Sequence, residues 1–392
     1  MAPLVLVGAS LAWTYKRAGS AWEKLSWILG LERVDVQVFV VDQIDLRSCT
    51  FAPGDERVYE NALNVGWFDD VVEEFGLSGR AALVGEDGQP LRGPSWEELK
   101  EMAAAADALV NLSGDLRCRE IKDRVRRRIL VDTDPGLTHF WVAAGRPAPR
   151  VVDHDLYFTV GENVGQPGCS IPSAGIDWRH VRQPVLLDEW PVCPTPGPWR
   201  FTTVTRWRGF GPHGRLSDVG VNASDKADEF LRFSPVASLS GERFELAVDD
   251  AADPRETDAL ARAGWSVTSA EGVMRDADSF RRYVQGSGAE FSVAKGVYVD
   301  TRSGWFSDRT TRYIASGKPA LVQDTGFGRT LPVGQGLLTF RSLPEAVTGV
   351  QAIAADYDHH ARSARQLAEQ YFAAEVVLGR FLDEALGARI DH

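Results

Sequence analysis

Short runs of apolar, β-favouring residues alternate with helical patterns along most of this chain, and the alternation occurs twice. The first series reads as strands at 4–10 (LVLVGAS), 36–42 (VQVFVVD), 81–86 (AALVGE), 108–113 (ALVNLS) and 129–134 (ILVDTD). Helical patterns at 20–32 and 95–106 lie between them, the second with Ser95 as its N-cap. The second series places strands at 201–207, 243–249, 265–270, 290–296 and 319–324, separated by DKADEFLRF, PRETDALARAG, DADSFRRYVQG and SDRTTRYIASG. Strands that are apolar throughout are covered on both faces, and strands joined through helices run parallel. Between the two series lies PVCPTPGP (191–198), whose four prolines remove backbone donors and favour an extended linker. The expectation is an α/β protein of two doubly wound, Rossmann-like domains with an interdomain cleft. The first covers 1–193 and the second 199–365. The tail from Pro344 is helical and long enough for two or more helices, the last of which, 366–388, packs back on the first domain.

The 392 residues suit two domains. A formal net charge of −12 argues against generic binding to nucleic acid or to an anionic membrane, since both reward a basic surface. A small anion needs only local positive charge. The opening MAPLVLVGAS reads as a buried strand and not as a signal peptide. No run of about 18 apolar residues exists, so no membrane span is expected. Cys49, Cys118, Cys169 and Cys193 form no CxxC pair, which fits a reducing cytoplasm, and neither they nor the seven histidines have metal-site spacing.

Open α/β sheets bind ligands at the carboxyl ends of their strands. The richest such place is SGWFSDRTTRYIASGKPALVQDTGFG (303–328). Ser307 is a natural N-cap, the helix runs from Asp308 to Ser316, and Gly317 and Pro319 stop it. The bare N–H groups and dipole of that helix start form an anion site, to which Ser307 adds a hydroxyl and Arg309 and Lys295 add positive charge. Asp308 and Arg312, four apart, share a face, so Arg312 can hold Asp308 toward a ribose or sugar hydroxyl. Asp324, Thr325 and Gly326 make a polar turn that suits several hydroxyls. A plain capped first turn and an ordinary glycine turn fit the same residues.

The order GWFS (304–307), ASGKP (315–319) and QDTG (323–326) resembles the donor-binding half of GT-B fold glycosyltransferases, in particular a bacterial group with DRSxxYLASGxPVLVQDTGF-type sequences. Weaker echoes are GSAW (19–22), WILGL (27–31), TDPG (133–136), TVGENVG (159–165) and WRGF (207–210). The resemblance implies a nucleotide sugar, with UDP or TDP, as co-substrate, no other cofactor, no metal, and a small-molecule acceptor such as a natural product. It also implies that basic residues after the first strand of the second domain, Arg206 and Arg208, and Lys226 at its first helix, hold the pyrophosphate. The loop with Gly19 and Ser20 is brought near the donor phosphates. Where many relatives carry a ribose-binding glutamate this chain has Arg312, and Asp308 one turn earlier is the substitute.

The resemblance implies that the first domain, 1–193, binds the acceptor and supplies any base and that the second, 199–365, binds the nucleotide sugar; an inverting enzyme needs a base to take the acceptor proton. Asp134, His154 and Glu162 are the candidates, with His139 and Asp155 behind them. His154 and Asp155, adjacent in an extended segment, point to opposite faces and form no dyad. His359 and His360 read as surface residues. Trp13 and Tyr15 could stack on a ring, whereas Trp22 and Trp27 suit core or interdomain packing. Two other functions remain open: an epimerase acting on nucleotide sugars, and a non-catalytic binder of nucleotide sugars or carbohydrate.

Overall fold

The computed structural model of the protein describes residues 2–194, 197, 199–208, 216–221, 223–249 and 252–387. Part of the proline-rich linker, and Gly209 and Phe210 of WRGF, lie outside the described residues.

Fourteen strands among the described residues form two sheets. The first sheet contains β1 (Leu4–Gly8), β2 (Gln37–Gln43), β3 (Ala81–Val84), β4 (Pro90–Arg92), β5 (Ala108–Leu112), β6 (Arg128–Asp132), β7 (Leu156–Thr159) and β8 (Trp178–His180). Its order is β4-β3-β2-β1-β5-β6-β7-β8, parallel except for the β3–β4 pair. The second contains β9 (Phe201–Thr205), β10 (Phe244–Val248), β11 (Trp265–Ser269), β12 (Ala289–Ser292), β13 (Ala320–Gln323) and β14 (Leu337–Phe340). Its order is β11-β10-β9-β12-β13-β14, parallel throughout. The central strands are buried along their length, as their unbroken apolar sequences require. The order of the strands reverses between β1 and β5 in one sheet and between β9 and β12 in the other. These are the places where the loops diverge and leave room for a ligand.

The carboxyl ends of the two sheets face one another. Lys16, after β1, pairs with Glu271 at 2.7 Å, and the Ala18 N–H donates to the Met274 carbonyl. Asp134, after β6, meets Lys295, after β12. On the same side Asn163 reaches across, its Nδ2 donating to the Arg302 and Gly326 carbonyls, both at 3.0 Å. This contact explains two glycines of the quoted motifs. Gly304 and Gly326 have φ of +73° and +95°, and a Cβ at either would lie 2.8 Å from an atom of Asn163.

Behind the cleft, helix Ala18–Glu32 buries Trp22 and Trp27. Trp22 donates its indole N–H to Ala277 of the second domain and packs edge-on against Trp190. Helix Tyr357–Tyr371 packs on the second domain. The chain then crosses back at Phe372–Ala374, where Val185 donates to the Phe372 carbonyl and accepts from Ala374. The final helix, Ala374–Leu386, lies on the first domain, with Phe381 between Trp27 and Phe158.

Strands β4, β8 and β14 and helix Leu63–Glu74 were not expected from the sequence. Each of these strands is only three or four residues long, and the helix starts without a side-chain cap. His360 also differs from expectation: it is buried, and its Nδ1 accepts from the Gly336 N–H. Among the described residues no helix is long and apolar enough to cross a membrane.

Candidate functional site

Helix Asp308–Ala315 begins where β12 and β13 end. Ser307 caps it by accepting from the Arg309 N–H at 3.3 Å. A small cavity opens at this end, lined by Ser292, Trp305, Ser307, Thr310, Gln323 and Thr325 among others. Gln323 is fixed there by accepting from Ala294 N and donating to Glu229.

The two arginines of this helix point inward. Arg309 donates through Nε to Glu290 at 2.7 Å, through Nη1 to the Val204 carbonyl at 2.9 Å, and through Nη2 to the Ser292 hydroxyl. Glu290 is fully buried. Burial opposes the charge on Arg309, but Glu290 beside it outweighs burial and raises its pKa. The expectation that Arg309 offers its guanidinium to a diphosphate is therefore corrected: the group ties β9, β12 and the helix together, and contributes to the cleft through its field. Arg312 is buried against Trp190 and Phe280 and holds Asp308 at 2.6 Å. Asp308 remains about a quarter exposed, with one side of its carboxylate already engaged.

Lys226 differs from these two. It starts helix Lys226–Phe233 behind an Asp225–Asp228 capping box, and its Nζ sits 5.9 Å from the centre of the Trp305 ring. It has no salt bridge among the described residues. Burial first, then the charges of Arg309 and Lys295, push its pKa down to about 7, with Asp308 and Asp134 working the other way. Trp305 is held in turn by Tyr298, stacked on it at 4.5 Å. Tyr298 and Lys295 both grip Asp134 from the first domain, Lys295 at 2.7 Å. Burial alone would raise the Asp134 pKa, but these partners hold it below the ordinary carboxylate range.

The structure thus brings Lys226, Lys295, Asp134, Asp308 and Ser307 together. The turn after β13 is close by, but its side chains are engaged in building it. Thr325 donates to the Trp305 carbonyl, and Asp324 accepts from Gly326 N and from Arg341. Arg208 is occupied by Asp225 and Glu256. Glu162 is bound by Arg182 and Thr330 at the interdomain contact.

Two first-domain expectations are corrected. His154 precedes β7, at the amino end of the sheet and away from the cleft. Its Nε2 meets the Asn111 amide, its Nδ1 meets the Val151 carbonyl, and burial first, then Lys122, lowers its pKa to about 4. Asp155 pairs with Arg128 at the same edge. Gly19 lies inside helix Ala18–Glu32, where a Cβ would meet Phe280 at 3.2 Å, so it serves helix packing. The Ala18 N–H is taken by the Met274 carbonyl and the Ser20 N–H by the Arg17 carbonyl. His139 is buried against Trp178, with Nε2 3.0 Å from Asp132.

Arg17, directly before this helix, was missed. It is exposed at the cleft without a salt bridge among the described residues, near Arg206 after β9 and Asp249 after β10. Partial desolvation against the cleft wall, then Arg206, lowers its pKa, with Asp249 opposing. Nothing in the sequence distinguishes Arg17 from other loop arginines. Trp305 and Tyr298 were overlooked too, although Trp305 stands inside GWFS.

Two parallel α/β domains facing each other through the carboxyl ends of their sheets define the GT-B fold, and the chain has it. No protein-family model matches the chain, and no curated protein matches it. Among solved structures, it is similar to an alpha-glucosyltransferase in complex with UDP-glucose and DNA containing an abasic site. The TM-score is 0.58 at 9% identity, over 99% of this chain and 100% of that one. It is also similar to AviGT4, a glycosyltransferase involved in avilamycin A biosynthesis, with a TM-score of 0.54 at 13% identity over 99% of both chains. A protein from Listeria monocytogenes assigned as a UDP-N-acetylglucosamine 2-epimerase gives 0.50 at 15% identity, over 99% of this chain and 98% of that one. Identities this low establish the fold alone.

Proposed function

We propose that the protein is a glycosyltransferase that moves a sugar, of hexose type, from a nucleoside-diphosphate sugar to a small-molecule acceptor. The observation that carries this reading is Lys226. A half-buried ammonium with no salt bridge among the described residues, lying over an aromatic face beside two other cations, is costly unless it meets an anion. It sits at the strand-order reversal of the second domain, where a ligand fits. A diphosphate bound there would lie between Lys226, the Ser307 end of the helix and the arginines Arg17 and Arg206. The nucleoside diphosphate would be UDP or TDP.

As the acceptor hydroxyl attacks the anomeric carbon, the bond from that carbon to the diphosphate oxygen breaks, negative charge collects on the leaving group, and the acceptor proton passes to that diphosphate or to water. A fixed cation at that position favours the transition state over the ground state. Asp134, held in its ionised form by Lys295 and Tyr298, makes a poor proton acceptor. We assign it to positioning Lys295 across the cleft. Ser307 and Thr310 would meet the phosphate or sugar oxygens.

Incubation with UDP- and TDP-sugars without acceptor tests the reading. Slow release of free sugar and nucleoside diphosphate supports a transferase. A changed sugar still attached to the nucleotide favours the epimerase. Tight binding with no turnover on any acceptor leaves a binding protein.

A further inference from the structure

The first domain has its own groove at the carboxyl ends of β2, β3 and β5, beside the reversal of strand order at β1 and β5. Its volume is about 700 Å3, within the range of roughly 300–1,000 Å3 typical of small-ligand sites. A buried side chain builds its floor. The Gln43 Oε1 accepts from Arg117 N at 2.7 Å and Cys118 N at 3.0 Å, and its Nε2 donates to the Glu86 carbonyl at 3.4 Å. One amide therefore joins the loops after β3 and β5, and the Arg117–Asp45 pair at 2.6 Å joins the loops after β5 and β2.

The lining sets the groove apart. Pockets for apolar ligands are walled mainly by hydrophobic and aromatic side chains. No aliphatic or aromatic side chain lines this one. Glu86, Asp87 and Glu120 line it without an ion pair among the described residues, against one such cation, Arg47. The excess of unpaired carboxylates repels a polyphosphate chain and attracts an amine, and the wall offers donors and acceptors in place of apolar contact.

We infer that this groove seats the acceptor, and that the acceptor is a hydroxyl-rich saccharide bearing amino groups. This rests on the glycosyltransferase reading and narrows it. A flat apolar aglycone would leave the polar wall unsatisfied, and a nucleic acid would bring phosphates against Glu86 and Glu120. The loop after β5 that walls the groove begins at Ser113, whose hydroxyl meets that of Thr133, the neighbour of Asp134, at 2.9 Å.

Saturation-transfer NMR with kanamycin, the planar phenol naringenin and a short DNA duplex tests this on the full chain, with UDP and TDP binding followed by thermal shift on the same samples. Kanamycin is expected to bind. A Glu86→Gln, Glu120→Gln double variant, both sites being exposed, is expected to weaken it at least fivefold while leaving the nucleotide shift unchanged. Kanamycin binding that is absent, or equal in the variant, overturns the inference, as does naringenin or DNA binding that the variant alters. If the wild type shows a thermal shift with neither UDP nor TDP, the transferase reading falls. If either nucleotide binds and kanamycin does not, the acceptor assignment alone falls.

Discussion

Replacing Lys226 with glutamine removes the cation that the donor reading depends on. A hydrogen bond to a charged group contributes about 1.5–3 kcal/mol, which is roughly a 10- to 150-fold loss in affinity for UDP. The pH dependence is the sharper signature. With a pKa of about 7 in the free protein, Lys226 is charged at pH 6 and mostly neutral at pH 9. If only the charged form binds, the binding-competent fraction falls about 50-fold between pH 7 and 9. The terminal phosphate ionises at about pH 6, so its charge is steady over this window. Titrating UDP by Trp305 fluorescence quenching or calorimetry should show affinity falling with pH in the wild type and a flat profile in Lys226→Gln. Stability gives an independent sign. The folded-state pKa lies below the unfolded value of about 10.4, so the ammonium destabilises the fold fully below pH 7, and the deficit fades as pH rises toward the unfolded value. Lys226→Met should therefore raise the melting temperature of the ligand-free protein at pH 6 more than at pH 9. Wild-type affinity that is level from pH 7 to 9, or a variant that keeps the wild-type slope, would refute the assignment of Lys226 to the phosphates.

Arg309→Ala leaves Glu290 buried and unpaired. A loss of about 3–5 kcal/mol is expected in chemical denaturation, whereas Arg255→Ala, in an exposed helix start, should lie within about 0.5 kcal/mol of wild type. Asn163→Ala removes two interdomain hydrogen bonds and strands two carbonyls. About 2–4 kcal/mol should be lost, read as a lower urea midpoint, with reduced protection of the Gly304 and Gly326 amides in hydrogen exchange.

Much of the fold was legible because the strands carry their own signal. FELAV and ALVQ are too apolar to have a wet face, and each is bounded by turn residues, so the parallel sheets followed. The short strand β14 carries too few residues to show a period. The site was legible in a different way. Sequence could name the helix start at Ser307 and the cations near it, since caps and glycine stops are local. It could not say which cation faces the cleft. Arg309 and Lys226 have the same charge, and only the long-range pairing with Glu290 takes one of them out of reach. Arg17 and His154 make the same point in opposite directions: the first is brought to the opening by the docking of its loop on Met274, the second is carried to the far edge by the strand that follows it.

The return of the chain at Phe372–Ala374 bears on how the halves can move. The polypeptide passes between them twice, and Val185 ties the second passage to the segment leading into the first. Two tethers of this kind suppress free swivelling and leave a bending motion about the line that joins them. They also mean that a fragment cut after residue 193 would lack its own final helix, leaving Trp27 and Phe158 uncovered by Phe381, so the two lobes are not separable at the linker.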